Sequence, residues 1–263
     1  MSQHDLQGRW ALILGASSGF GAAAARAFAR AGMNVCGVHL DTRATLDRAR
    51  AVIADIEATG QRALFFNTNA ADAQKRARVL ERVKEECGPI HFLLHSLAFG
   101  SLLPFIADDP AEAINEAQMD MTLRVMAHSL VYWVQDMVRM GLLVRGSRVY
   151  TLSSGGADRV VVPYGAVSAA KAALESHVRQ LALELGPRGI AVNGLRPGVA
   201  DTPALRAIPG HEYWVQEAQQ RNPAGRLTTP EDIATVLVAL ADPAITWISG
   251  AIIPVDGGEF VVG

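Results

Sequence analysis

Seven short, almost wholly apolar runs recur along this chain, alternating with longer helical stretches. No other feature restricts its fold so tightly. The runs are Trp10–Leu14, Asn34–His39, 62–66, 92–95, Arg148–Leu152, 191–195 and 251–255. A strand that is apolar on both faces must be covered on both faces, and the intervening helices supply the cover. The helical stretches are 21–31, 42–59, 73–87, one or two long helices within 111–140, 167–185 and Pro230–Leu240. The pattern predicts an α/β chain of three layers, with a doubly wound, mostly parallel seven-stranded sheet. A chain of 263 residues buries one core of this kind, so 1–263 reads as a single domain. The least regular long stretch, 198–225, contains Pro203, Pro209, Gly210 and Pro223, and a substrate lid is expected around 199–225.

Composition removes several classes of function. The net charge of −2 argues against a dedicated nucleic-acid binder. Two cysteines, Cys36 and Cys87, give neither a disulfide framework nor metal-ligand spacing, and no metal is expected. No apolar run is long enough to span a bilayer, and the start Met1-Ser2-Gln3-His4-Asp5 lacks a secretory pattern. A cytoplasmic location, away from membranes, is the expectation.

The segment Leu14-Gly15-Ala16-Ser17-Ser18-Gly19-Phe20-Gly21 leaves the first strand and opens the first helix. Gly15 permits a tight exit, Gly19 lets backbone approach a diphosphate, and Gly21 lets the helix pack closely on the sheet. Ser17 and Ser18 add hydroxyl donors. The position between strand and helix points to a dinucleotide, bound outside the carboxyl ends of the strands as in a Rossmann fold. The choice between NADH and NADPH falls at the end of the second strand, Val38-His39-Leu40-Asp41-Thr42-Arg43. An acidic residue there favours free ribose hydroxyls and a cation favours the extra phosphate. Thr42 and Arg43 could hold that phosphate, which tips the expectation slightly towards NADPH. The alternative is that Asp41 and Arg43 are solvated helix-start charges.

A second constellation is Tyr164-Gly-Ala-Val-Ser-Ala-Ala-Lys171, preceded by Ser153-Ser154. Seven helical steps return Lys171 to within ~20° of the face of Tyr164, about 10 Å further along. One face could then present a proton donor to a substrate and a cation to a cofactor. A nearby lysine and an oxidised nicotinamide both favour the phenolate, so the expected pKa of Tyr164 lies below the ordinary value. Gly165 and Ala166 leave room around the phenol. Taken alone, a Tyr and a Lys at helical spacing are more often surface residues.

The glycine spacing Gly-x-x-x-Gly-x-Gly, the Ser-Tyr-Lys set and Pro197-Gly198-Val199-Ala200-Asp201-Thr202 together resemble the short-chain dehydrogenases/reductases. The resemblance runs from Gly8 to Gly258. Most of that family place the tyrosine four positions before the lysine, where this chain has Val167. The longer spacing, and the segment Leu94-His95-Ser96-Leu97-Ala98-Phe99-Gly100, are similar to the bacterial enoyl-acyl-carrier-protein reductases. The resemblance implies that Tyr164 is the catalytic phenol, that Lys171 holds the ribose hydroxyls, and that Ser154 binds the substrate oxygen, with Ser153 as competitor. It places His39 at the usual acidic position and Asn69-Ala70 against adenine, though Asn69 also suits a local turn. Ser96, Leu97 and Ala98 would line the cofactor. Pro197, Gly198 and Thr202 would close over it, with backbone at Val199 or Ala200 on the carboxamide. His95 fits a buried, backbone-satisfied histidine better than a catalytic one.

Two further features come with the resemblance. Many enoyl reductases carry a second tyrosine where this chain has Ser154, and Arg124 stands near the place of the family's relay asparagine. The implied reaction is reduction of the 2,3 double bond of an enoyl thioester, with acyl carrier protein as a candidate carrier. The rivals are a carbonyl or 3-oxoacyl reductase and a dinucleotide-binding regulator without turnover. Leu205, Ile208, Tyr213 and Trp214 would cover the acyl chain beside Phe99, unless they only pack a short helix. Arg206 and Arg221, with Arg226 beyond them, would steer an acidic carrier protein. A homotetramer is implied by analogy.

Overall fold

The computed structural model describes residues 6–262. Seven parallel strands form one sheet in the order β3-β2-β1-β4-β5-β6-β7. They are β1 (Trp10–Leu14), β2 (Asn34–His39), β3 (Ala63–Asn67), β4 (Ile90–His95), β5 (Arg148–Leu152), β6 (Ala191–Pro197) and β7 (Ile252–Val255). Strand side chains alternate between faces, and here both faces are apolar. Trp10, Leu12 and Leu14 of β1 enter one core with Leu80, Trp133 and Leu174. Ala11 and Ile13 enter the other with Phe28, Ile233 and Leu237.

The helices that cover these faces are α1 (Gly19–Arg30), α2 (Leu46–Glu57), α3 (Ala73–Glu86), α4 (Glu116–Leu123), α5 (Ser129–Arg139), α6 (Gly165–Leu185), α7 (Pro203–Arg206), α8 (His211–Arg221) and α9 (Pro230–Leu240). α1, α2 and α9 lie on the second face, whereas α3, α5 and α6 cover the first. A five-residue π-helical stretch, Arg124–His128, joins α4 to α5 without a break.

The long helical stretch expected over 111–140 begins late. Residues 101–115 run as loop and turns, and α4 starts behind a capping box in which Asn115 and Gln118 satisfy each other's backbone N–H groups. Asp108-Asp109-Pro110 lies in that loop, where the Asp109 side chain accepts the N–H of Ala111 in a local turn. The stretch expected to be irregular, 198–225, carries α7 and α8. Thr202 caps α7 with its hydroxyl, and Gly210, at φ +74°, sets the turn into α8.

Among the described residues no helix is long and apolar enough to cross a membrane, and no cluster of His, Cys, Asp and Glu could hold a metal ion.

Candidate active site

The site lies at the carboxyl ends of β1 and β4, where the strand order of the sheet changes direction. Gly15 leaves β1 with φ +91°, and a Cβ there would stand 2.4 Å from the carbonyl oxygen of Ser96. Its N–H and that of Ala16 both donate to the Val38 carbonyl, at 2.8 and 3.1 Å. A Cβ on Gly21 would sit 2.0 Å from the Gly15 carbonyl oxygen, so α1 can approach the strand only with glycine here. Ser18 is the N-cap of α1, and no side chain caps the helix. The loop after β6 crosses above, with Thr202 Cγ2 3.6 Å from a Cβ built on Gly19. This cradle suits a dinucleotide diphosphate: α1 is 12 residues long, its first N–H groups have no side-chain cap, and the glycines keep the approach open.

At the ribose end, His39 Nδ1 and Asp41 Oδ2 lie 2.7 Å apart. Asp41 is also tied by its backbone to Asn67, donating to Oδ1 and accepting from Nδ2. Burial pushes the Asp41 carboxyl up, but hydrogen bonds from Thr45, Ser17 and His39 prevail and hold it below the usual carboxylate range. The group facing the glycine turn is therefore an anion, whereas Arg43 is exposed. Asn69 makes the local turn, with its Oδ1 accepting from Ala71 at 2.9 Å. The Ala70 carbonyl receives the Trp133 indole at 2.8 Å.

The candidate catalytic residues come together. Tyr164 is the residue before α6, and Lys171 lies on that helix, buried, with Nζ donating to the Leu152 carbonyl at 2.6 Å. Ser154 follows β5, and its hydroxyl accepts from Gly156 N–H on the side where the Tyr164 ring also packs. Burial raises the Tyr164 pKa above its ordinary value, and the bond to Ser154 only partly offsets this. That corrects the expected lowering: Lys171 spends a donor on the Leu152 carbonyl, and desolvation dominates at the phenol. Burial brings Lys171 itself down to about 8, opposed by the charge of Glu175. The room expected beside Gly165 is filled, since a Cβ there would stand 2.6 Å from the Phe105 ring. A Cβ on Gly156 would stand equally close to the Tyr164 ring.

His95 is fully buried. Ser129 donates to the Val125 carbonyl at 2.7 Å, so its oxygen accepts from His95 Nε2 at 2.8 Å. Burial first, and the Lys171 charge second, push this imidazole down to about 3. It is neutral and structural. The N–H of Ser96, next along, pairs with the Leu14 carbonyl at 2.9 Å.

Above the pocket, Val199 has both backbone groups engaged: its N–H by Glu259 at 2.9 Å and its carbonyl by Thr228 N–H at 3.0 Å. Ala200 is buried, and among the described residues its N–H and C=O have no partner. Buried backbone groups seldom stay unpaired, and a free donor and acceptor on one residue match a carboxamide. Ala200 is thus the better-placed of the two backbone candidates. Of the lid residues, Leu205, Ile208 and Trp214 are half-buried, and Tyr213 is exposed with its ring edge-on to Trp214. Phe99 is 64% exposed at the mouth. Arg206 is held by Asp201 through two hydrogen bonds, and Arg226 by Asp232. Both charges are compensated locally.

Sequence reasoning missed Glu175, Arg196, Asp158 and Glu259. Glu175 accepts from the Ser153 hydroxyl at 2.5 Å and from Arg196 Nη2 at 2.9 and 3.0 Å, and Arg196 also pairs with Asp158. Glu175 stands four residues after Lys171, a spacing that puts it on the same helix face; Arg196 and Asp158 carry no comparable signal.

Known proteins are similar to this chain along nearly all of its length. The family model described as enoyl-(acyl carrier protein) reductase matches residues 15–259. The chain is 30% identical to the 7alpha-hydroxysteroid dehydrogenase of Escherichia coli (strain K12) over 253 residues, covering 96% of this chain and 94% of that protein. The NADH-dependent enoyl-[acyl-carrier-protein] reductase of Aquifex aeolicus VF5 superposes with a TM-score of 0.85 at 25% identity, covering 98% of each chain. A short chain dehydrogenase of Burkholderia cenocepacia J2315, solved in complex with NADP, gives a TM-score of 0.84 at 30% identity, covering 97% of this chain and 99% of that one.

Proposed function

The chain belongs to the short-chain dehydrogenase/reductase family and is an oxidoreductase of a nicotinamide dinucleotide; from that premise we propose that it reduces a carbonyl group whose oxygen is held by Tyr164 and Ser154. One observation carries the reading: the Ser154 hydroxyl and the Tyr164 ring converge on Gly156, where a Cβ would stand 3.2 Å from Ser154 Oγ and 2.6 Å from the ring, at the head of the helix that carries Lys171. When bound, the reduced nicotinamide supplies the hydride. The Tyr164 phenol is kept protonated by burial, so at neutral pH it is a donor, as an oxygen gaining charge requires. Ser154 supports the same oxygen. The Lys171 ammonium has its remaining donors for ribose hydroxyls, and Ala200 offers backbone N–H and C=O to the carboxamide. A relative named as a hydroxysteroid dehydrogenase adds weight to an alcohol–carbonyl pair as the substrate class.

Between the two dinucleotides, the Asp41 carboxylate beside Ser17 favours NAD(H), because a 2′-phosphate would meet an anion. This turns the preference read from Arg43 in the sequence.

A second reading is favoured by a specific feature, the seven-residue offset from Tyr164 to Lys171, and by the description of the matching family model. In it the substrate is an enoyl thioester, delivered on acyl carrier protein or coenzyme A, and Tyr164 steadies the enolate oxygen. Cofactor oxidation is measured with acetoacetyl and crotonyl thioesters and with a hydroxysteroid ketone. Turnover of either ketone without crotonyl turnover supports carbonyl reduction; crotonyl turnover alone replaces it with the second reading. Cofactor binding without turnover of any substrate would favour a regulator.

A further inference from the structure

Glu259 is fully buried, four residues beyond the end of β7, and no step above uses it. Its Oε2 accepts the Val199 N–H at 2.9 Å, whereas its Oε1 is buried with no hydrogen-bond partner. The space it occupies exists because residue 198 is glycine. A Cβ there would stand 2.7 Å from Oε2 and 2.4 Å from the Thr228 hydroxyl. Burial pushes the carboxyl up; the hydrogen bond from Val199 and the charges of Arg221 and Arg159 oppose this, and Asp256 adds to it.

The peptide between Val199 and Ala200 gives this contact its meaning. A trans peptide is planar, with its C=O and N–H pointing opposite ways. Thr228 takes the Val199 carbonyl, so the Ala200 N–H must point away from Thr228. Glu259 takes the Val199 N–H, so the peptide before it is fixed too. With both planes that flank Val199 held, the unpaired N–H of Ala200 has one orientation. The same tail also reaches the Ser154 loop, since the Phe260 ring lies against Gly155 and under the Arg159 guanidinium, 4.6 Å from the ring centroid.

We infer that Glu259 is a positioning residue that orients the Ala200 backbone for the nicotinamide carboxamide. It acts through Val199 and touches neither cofactor nor substrate. The inference rests on dinucleotide binding and is independent of which substrate is reduced.

The test is direct binding to the full-length protein, followed by calorimetry, of NADH and of ADP-ribose, which lacks the nicotinamide. In Glu259→Ala the NADH dissociation constant should rise about tenfold, the equivalent of ~1.4 kcal/mol, while that of ADP-ribose stays at the wild-type value. Glu259→Gln, which keeps an acceptor for the Val199 N–H, should restore NADH affinity. Glu259→Met fills the volume without an acceptor and carries the same comparison where alanine fails to fold. Unchanged NADH affinity in Ala and Met would overturn the inference. So would an equal loss for NADH and ADP-ribose, which would make Glu259 a prop for the whole cleft. Wild-type protein that binds neither ligand would instead reject the cofactor itself.

Discussion

Replacing Glu175 by glutamine should move the pH dependence of cofactor binding while leaving the Tyr164 chemistry in place. Lys171 and Glu175 are four residues apart on α6, a rise of about 6 Å. At an effective dielectric constant of about 20, two unit charges at that separation attract by roughly 3 kcal/mol, or about two pH units in the lysine pKa. Arg196 sits on the same carboxylate at 2.9 and 3.0 Å and cancels part of that field, so a shift of about one pH unit is the working figure. The Lys171 ammonium, at about 8 in the native chain, is present below that pH and lost above it. In Glu175→Gln the loss moves to lower pH, towards about 7. The assay is quenching of tryptophan fluorescence by NADH between pH 6 and 10. Native protein should weaken its binding as pH rises through about 8, and the variant about one unit earlier. Coincident profiles would refute the argument, because they would mean that Lys171 does not sense Glu175 or that its charge does not matter to binding. A Lys171→Met variant should lose the pH dependence altogether.

Tyr164→Phe should lower turnover by about a hundredfold or more with cofactor affinity unchanged; wild-type turnover would reject the phenol as donor. Asp41→Asn should improve NADPH relative to NADH by about tenfold in kcat/KM, as removal of an anion beside a 2′-phosphate requires, whereas Arg43→Ala should leave the ratio as it was. A fall in NADPH use in Arg43→Ala alone would return the choice to the cation. Gly21→Ala should cost about 3 kcal/mol or more in chemical denaturation, since its Cβ would stand 2.0 Å from the Gly15 carbonyl oxygen. A loss below ~1 kcal/mol would show that α1 shifts freely on the sheet.

The sheet was legible because its strands carry a signal that side-chain burial on two faces imposes. Trp10 through Leu14 is apolar at every position, and the structure buries every one. Helix starts were less legible: α4 begins at a capping box that Asn115 and Gln118 spell out, yet the apolar pattern over 111–140 drew attention upstream. Tyr164, Lys171 and Ser154 were found by spacing within one local segment. The phenol's pKa was misjudged because burial, which sequence does not display, outweighs the lysine charge. Arg206 looked free for a partner because Asp201, five residues away, reads as unrelated in a loop, whereas one turn of α7 brings them together. Glu259 was out of reach for a related reason. Its partner is a backbone N–H 60 residues away, and a backbone group leaves no letter in the sequence.

The packing of α1 against α9 bears on how the chain is made. Phe28, Ala24 and Ala25 of α1 share a core with Ile233 and Leu237 of α9. On a ribosome the first three strands and their helices emerge with this apolar face uncovered. It stays uncovered until roughly 150 further residues have been synthesised, and nascent chains of that kind are prone to aggregate. Stop codons before residue 230 should therefore yield insoluble products, even though every residue of the glycine turn and the Ser-Tyr-Lys set is already present.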